Sequence, residues 1–223
     1  MPLFKKPNTT EKILKQVQVL VDIVDQKPIA PSTMKTAFKT IAEEVAKIPL
    51  EKRDEIAEKI KEFFDRQIMF RRKWQREEEN KIKALLKEIS YLKQKGAKIP
   101  PEKRMRARQI DATIRMYRAR IYTIKNIEEQ ILITIREAQT SKEIMKNLIN
   151  VNQTLMAHLQ ETEDLLKEYE EVVEEAVEPT EIDNLMKTYL EETLTQKTTE
   201  EEEEATEIDE LMKTYLEENS KEK

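Results

Sequence analysis

LEKRDEIAEKIKEFFDRQIMFRRKWQREEENKIKALLKEISYLKQK, residues 50–95, contains neither proline nor glycine. Apolar residues recur at Ile56, Ile60, Phe63, Phe70, Trp74, Leu85, Ile89 and Leu92, mostly at steps of three or four or their sums. That is the period of one helix face. Only REEEN at 76–80 interrupts it. Read as one helix the stretch is a rod of about 68 Å. It ends at KQKGAKIPP, where Gly96 offers a C-cap and Pro100–Pro101 forbid continuation.

A second rod begins near Glu102. Ile110, Ile114, Tyr117, Ile121, Ile124, Ile131 and Ile135 form its seam, sparse at Glu128. A break at Thr140–Ser141 precedes Ile144, Leu148, Val151, Leu155 and Leu159, which continue the pattern. Two long amphipathic helices joined by a short turn bury their seams against each other as an antiparallel hairpin. Upstream, residues 9–26 read as a helix capped by Thr9 or Thr10, with Ile13, Val17, Leu20, Val21 and Val24 on one face. KPIAP stops it. Ser32 is the expected cap of a helix over 33–47, bearing Met34, Phe38, Ile41 and Val45, and Pro49 closes that one.

Composition agrees. The chain has one glycine and no cysteine in 223 residues. So few glycines exclude turn-rich β-sandwiches, barrels and nucleotide-binding α/β folds. Without cysteine there is neither a disulfide framework nor thiol chemistry. The expected fold is all-α: residues 1–8 a short terminal segment, 9–49 two short helices, 50–170 a helical hairpin, 171–223 an acidic tail.

The net charge of −5 conceals a division. Residues 1–120 carry 30 basic against 17 acidic groups, and residues 121–223 carry 10 against 28. A basic front can bind an anionic surface, and an acidic back can fold over it. The tail also repeats itself. Thr180–Glu192 (TEIDNLMKTYLEE) and Thr206–Glu218 (TEIDELMKTYLEE) differ only at Asn184 and Glu210. Ile182, Asp183, Leu185, Met186, Tyr189 and Leu190 are the candidate partner-binding residues of the first copy. Ile208, Asp209, Leu211, Met212, Tyr215 and Leu216 are those of the second. The apolar members fall at i, i+3, i+4, i+7 and i+8, one stripe of a helix whose natural place is a partner's groove. Two copies on one tether add avidity. The alternative is that the helices pack back on the hairpin as a lid. Thr180 with Asp183 loosely fits a capping box.

These features together resemble the ESCRT-III family of membrane-remodelling filament subunits, eukaryotic and archaeal. MPLFKKP is similar to the family's N-terminal segment, and REEENKIKALLKEISYLKQKG to the end of its first hairpin helix. RMRARQIDATIRMYRARIYTIKNIEEQI is similar to its basic second helix, and the tail repeats to its MIT-interacting motifs. The likeness covers roughly residues 51–160 and both termini. Two features differ. The helices at 9–47 stand where the family's hairpin would already have begun, and Tyr189 and Tyr215 stand where its motif has arginine. The resemblance implies a cytoplasmic, peripheral-membrane subunit that polymerises with itself on anionic membranes. Its tail would restrain it and would recruit an AAA ATPase bearing an MIT-type domain.

The membrane-binding candidates follow. Leu3 and Phe4 can enter a bilayer while Lys5 and Lys6 meet headgroups. Arg66, Arg71, Arg72, Lys73, Arg76, Lys81, Lys83 and Lys87, with Arg104, Arg106, Arg108, Arg115, Arg118 and Arg120 across the hairpin, can face anionic lipid. The plainer reading of that stripe is a solvated face paired with neighbouring acids, and of the terminus a frayed end. Nucleic acid is the rival ligand, but no helix-turn-helix, zinc pattern or aromatic platform accompanies it. Trp74 and Phe70 read as hairpin core, His158 as a packing or surface residue, and the glutamates at 200–204 as a solvated spacer. With no P-loop, GxGxxG, nucleophile elbow or His/Cys pairing, neither an enzyme activity nor a cofactor or metal is expected. Two other readings remain: a coiled-coil adaptor holding two copies of a partner, and a helical nucleic-acid- or virion-associated protein. Truncation after Glu170 separates them, since it frees a filament subunit and leaves an adaptor without its partner.

Overall fold

The computed structural model describes residues 8–27, 29–174 and 179–191, and among them every regular element is helical. The protein is all-α. Helix α1 spans Thr9–Val24. Its cap is Asn8, one residue ahead of the expected threonines. The Asn8 side chain accepts from the Glu11 N–H at 2.8 Å, and the Glu11 carboxylate accepts from the Asn8 N–H at 2.9 Å. Glu11 stands three residues beyond Asn8, which is what lets this reciprocal box close. At the other end Gln26 N–H reaches Ile23 O and Lys27 N–H reaches Asp22 O. Gln26 takes φ 60° to make that turn, a conformation usually given to glycine.

Helix α2 spans Pro31–Val45. It starts ahead of Ser32, with Pro31 in its first turn, where the missing N–H costs nothing. A 3₁₀ turn, Leu50–Lys52, leads into α3, Arg53–Gln94. Gly96 ends α3 as expected. It sits at φ 65°, with its N–H on Lys93 O and the Ala97 N–H on Leu92 O. Helix α4 spans Pro101–Glu137 and α5 Ser141–Glu174. In the break between them Glu143 accepts from Gln139 N–H at 2.8 Å and Thr140 N–H at 3.0 Å. Helix α6, Pro179–Met186, runs on into a π-helical turn, Lys187–Glu191.

The chain divides into two compact units. The first comprises Met1–Glu78 and Ala112–Glu175, the second Glu79–Asp111 and Ala176–Lys223. In the first, α1 packs on α2, and α5 packs on both. The expected stripe of α1, Ile13, Val17, Leu20, Val21 and Val24, is wholly buried. It joins Ile41 and Val45 of α2, Ile60 and Phe64 of α3, Ile124, Ile127 and Ile131 of α4, and Leu148, Val151 and Leu155 of α5 in one apolar cluster. The two short helices are therefore structural members of this core. Within the unit α3 and α4 run antiparallel: Arg136 pairs with Asp54 and Glu58, and the Trp74 and Tyr117 rings lie 6.2 Å apart. Arg53 Nη1 donates to Ala138 O at 2.7 Å, covering a carbonyl just past the end of α4.

Two side chains differ from expectation, and a third, His158, takes the packing role that was one of its two readings. Phe64, not its neighbour Phe63, is fully buried. Adjacent helical residues point about 100° apart, so a pair of phenylalanines leaves the stripe's centre ambiguous to periodicity. Trp74, expected in the core, is 45 % exposed. His158 is buried, and it holds three helices together. Its Nε2–H donates to Val24 O at 3.1 Å, which leaves Nδ1 to accept from the Thr123 hydroxyl at 3.0 Å. Burial lowers its pKa and keeps the ring neutral.

The second unit contains the end of α3, the start of α4, and α6 with its π turn. Lys103 pairs with Glu88 across the α3–α4 turn. Ile82, Leu86, Ile89, Ala107 and Ile110 are buried in it.

Candidate docking site of the repeated segment

The first repeat folds as the amphipathic helix its spacing predicts. Pro179 opens it, so Thr180 lies inside the first turn and does not cap it. Ile182 is 0 % and Tyr189 5 % exposed, and Leu185, Met186 and Leu190 are half-buried. Thr180, Asp183, Asn184, Lys187 and Thr188 are exposed. One face is thus apolar and covered, the other polar and open.

Three polar contacts attach this helix and its π turn to Lys93 in the last turn of α3 and to Arg108 and Asp111 in the first three turns of α4. Glu181 accepts from Arg108, Asp183 accepts from Lys93, and the Tyr189 hydroxyl donates to Asp111 Oδ1 at 2.7 Å. The acids of the repeat meet bases of α3 and α4, while the tyrosine meets an acid. Tyrosine suits that last contact because its hydroxyl donates at the end of an otherwise apolar ring. The π turn that carries Tyr189 is a helical irregularity found often at functional positions. The attachment is not fully satisfied: one oxygen of Glu181 bonds Arg108, while Oε2 is buried without a hydrogen-bond partner. Such an atom costs stability.

The expected membrane-binding residues divide between the units. Lys81, Lys83, Lys87, Arg104, Arg106 and Arg108 belong to the second; Arg66, Arg71, Arg72, Lys73, Arg76, Arg115, Arg118 and Arg120 belong to the first. Arg66, Lys73, Lys81, Lys87, Arg106, Arg115 and Arg118 are exposed, whereas Arg72, Arg76, Lys83, Arg104 and Arg120 are half-buried. Arg108 is engaged by Glu181. Arg71 leaves the set. It is 3 % exposed, with Nε donating to Asp25 Oδ1 at 3.1 Å and Nη1 to Gln67 O at 2.6 Å. A charge run cannot reveal this, because the neutralising partner lies 46 residues away.

Lys93, Asp111 and Glu181 were not among the sequence candidates. Asp111 follows the isoleucine seam as an ordinary helix-surface acid, so no local signal marks it. The charge division did imply pairing of tail acids with the basic front. Leu3, Phe4, Lys5 and Lys6, the whole second repeat, and the glutamates at 200–204 lie outside the described residues. Among the described residues no helix is long and apolar enough to cross a membrane, and no acidic or histidine cluster has metal-binding form. No family model, curated protein or solved structure matches this chain.

Proposed function

We propose that this chain is an ESCRT-III-like subunit that polymerises on anionic membranes to remodel or sever them, held closed by its own tail. In this reading α3 and α4 form one long antiparallel hairpin, and α6 is the restraint at its turned end. One observation carries it: the first repeat lies against the end of α3 and the start of α4, with Glu181 on Arg108 and Asp183 on Lys93. An acidic segment occupying basic groups competes with any other anion for them, including a lipid headgroup. Release would return Arg108 and Lys93 to solvent and expose the apolar stripe of the repeat. The tail, once free, would be the handle for a partner ATPase of the MIT-binding kind.

Sedimentation tests the reading. Full-length protein and a chain ending at Glu174, where α5 ends, are mixed with phosphatidylserine-rich and neutral vesicles, and the pellets are viewed by electron microscopy. The shortened chain is expected to pellet on anionic vesicles alone, as filaments, with binding that falls as salt rises. Equal behaviour of the two chains on both vesicles would overturn it. A chain that ignores lipid but loses a bound protein on truncation would be an adaptor, which the duplicated motif also suits.

A further inference from the structure

One receiving surface, at the end of α3 and the start of α4, holds the first repeat among the described residues, and the chain carries two copies of the segment that occupies it. Every residue of the first copy that makes a contact recurs in the second. Glu181, Ile182, Asp183 and Tyr189 correspond to Glu207, Ile208, Asp209 and Tyr215. The copies differ only at Asn184 and Glu210, and Asn184 is exposed. Its backbone carbonyl accepts from the Thr188 hydroxyl at 3.0 Å, a bond that Thr214 can repeat to Glu210. The difference thus falls where the docked face does not reach. Five glutamates precede the second copy, and they add attraction toward Lys93 and Arg108.

We propose that the cradle of Lys93, Arg108 and Asp111 accepts either copy, so that residues 206–218 of the same chain take it when residues 180–192 leave. The tether decides which copy holds it at rest. Four residues, 175–178, join α5 to α6, whereas 31 residues, 175–205, separate α5 from Thr206. Local concentration falls roughly as the −3/2 power of tether length, which favours the first copy by roughly tenfold or somewhat more. A partner that captures one copy therefore does not open the chain, because the other copy replaces it. Opening requires both to be held. The inference rests on the docked first copy, and it does not depend on the membrane reading.

Because the chain has no cysteine, disulfide trapping tests this directly in the full-length protein without lipid. Lys93→Cys is combined with Asp183→Cys or with Asp209→Cys under a glutathione redox buffer. The 93–183 disulfide is expected to dominate, with 93–209 at about a tenth of its yield. Adding Ile182→Asp and Tyr189→Asp, which disable the first copy, is expected to raise the 93–209 yield about tenfold, on a monomeric band. An unchanged 93–209 yield beside efficient 93–183 trapping would overturn the exchange and leave the docked first copy standing. Disulfides of 93–209 found only in dimers would overturn the same-chain arrangement. Failure of the 93–183 pair to link even with a flexible bis-maleimide, which relaxes the Cα spacing a disulfide demands, would remove the cradle, and with it both this inference and the closed state proposed above.

Discussion

The two units are held together by different physics. In the first, aliphatic side chains from five helices share one cluster, and polar groups enter it mainly where a partner neutralises them, as Asp25 does for Arg71. In the second, α6 and its π turn bury two side chains, Ile182 and Tyr189, and depend on contacts to Arg108, Lys93 and Asp111. Burial of apolar area tolerates salt and is hard to undo in part. Ion pairs at partly exposed positions are individually weak and are screened. The first unit is therefore an apolar scaffold, whereas in the second, which has its own buried residues Ile82, Leu86, Ile89, Ala107 and Ile110, α6 is attached by a latch of polar contacts.

Removing a core ring should have the largest effect. Phe64→Ala is expected to cost the first unit about 3–5 kcal/mol in denaturant unfolding, with trapping of the 93–183 pair unchanged under native conditions. Asp25→Ala should follow at about 3 kcal/mol, because it strands a buried guanidinium, whereas Lys73→Ala on the exposed side should fall within about 0.5 kcal/mol. Equal effects of these two substitutions would refute the burial of Arg71.

A third variant sharpens the comparison within the scaffold. Glu128 interrupts the α4 seam, and burial together with the nearby Asp65 charge raises its pKa to about 7, against the opposing pull of Lys61 and Lys125. The folded state then holds a proton between roughly pH 4.5 and 7 that the unfolded chain releases. Its contribution is present in full below the lower of these values and is lost as pH rises through the upper one. Glu128→Gln is expected to raise the melting temperature at pH 8 and change it little at pH 4.5. A gain equal at both would mean that the carboxyl titrates normally.

The smallest effect belongs to the latch. Tyr189→Phe removes one hydrogen bond to a carboxylate and should weaken docking by about 1.5–3 kcal/mol without changing the unfolding of the first unit. Hydrogen exchange across residues 180–191 reads it. The same amides should lose protection when salt is raised from about 0.05 to 0.5 M, over which the Debye length falls several-fold. Exchange indifferent to salt would make the latch apolar after all.

Much of this was legible in advance because helices announce themselves locally. Pro31, Gly96 and Pro101 punctuate the chain where helices start or stop, and the apolar steps of α1 locate its buried face residue for residue. The first repeat showed its stripe by spacing alone. What stayed hidden depended on distant partners. Nothing near Arg71 distinguishes it from Arg72 or Lys73. It follows the stripe of Ile60, Phe64 and Ile68, yet a charge on a stripe reads as an interruption until Asp25 is placed beside it. Trp74 reads as core by size and step but stands nearly half in solvent.

By itself, then, the sequence determined an all-helical chain, most helix ends to within two or three residues though not the end of α5, which runs to Glu174 rather than 170, and the duplication in its tail. These follow from backbone sterics and a 3.6-residue period, which act over a few positions. Only the tertiary structure decided that α1 and α2 complete a core, that Arg71 is structural, and that the first repeat lies on Lys93, Arg108 and Asp111. The last two are agreements between groups from 46 to 90 residues apart, and the first joins α1 to α5 across 134, as from Val24 to His158; no local pattern encodes such a pairing.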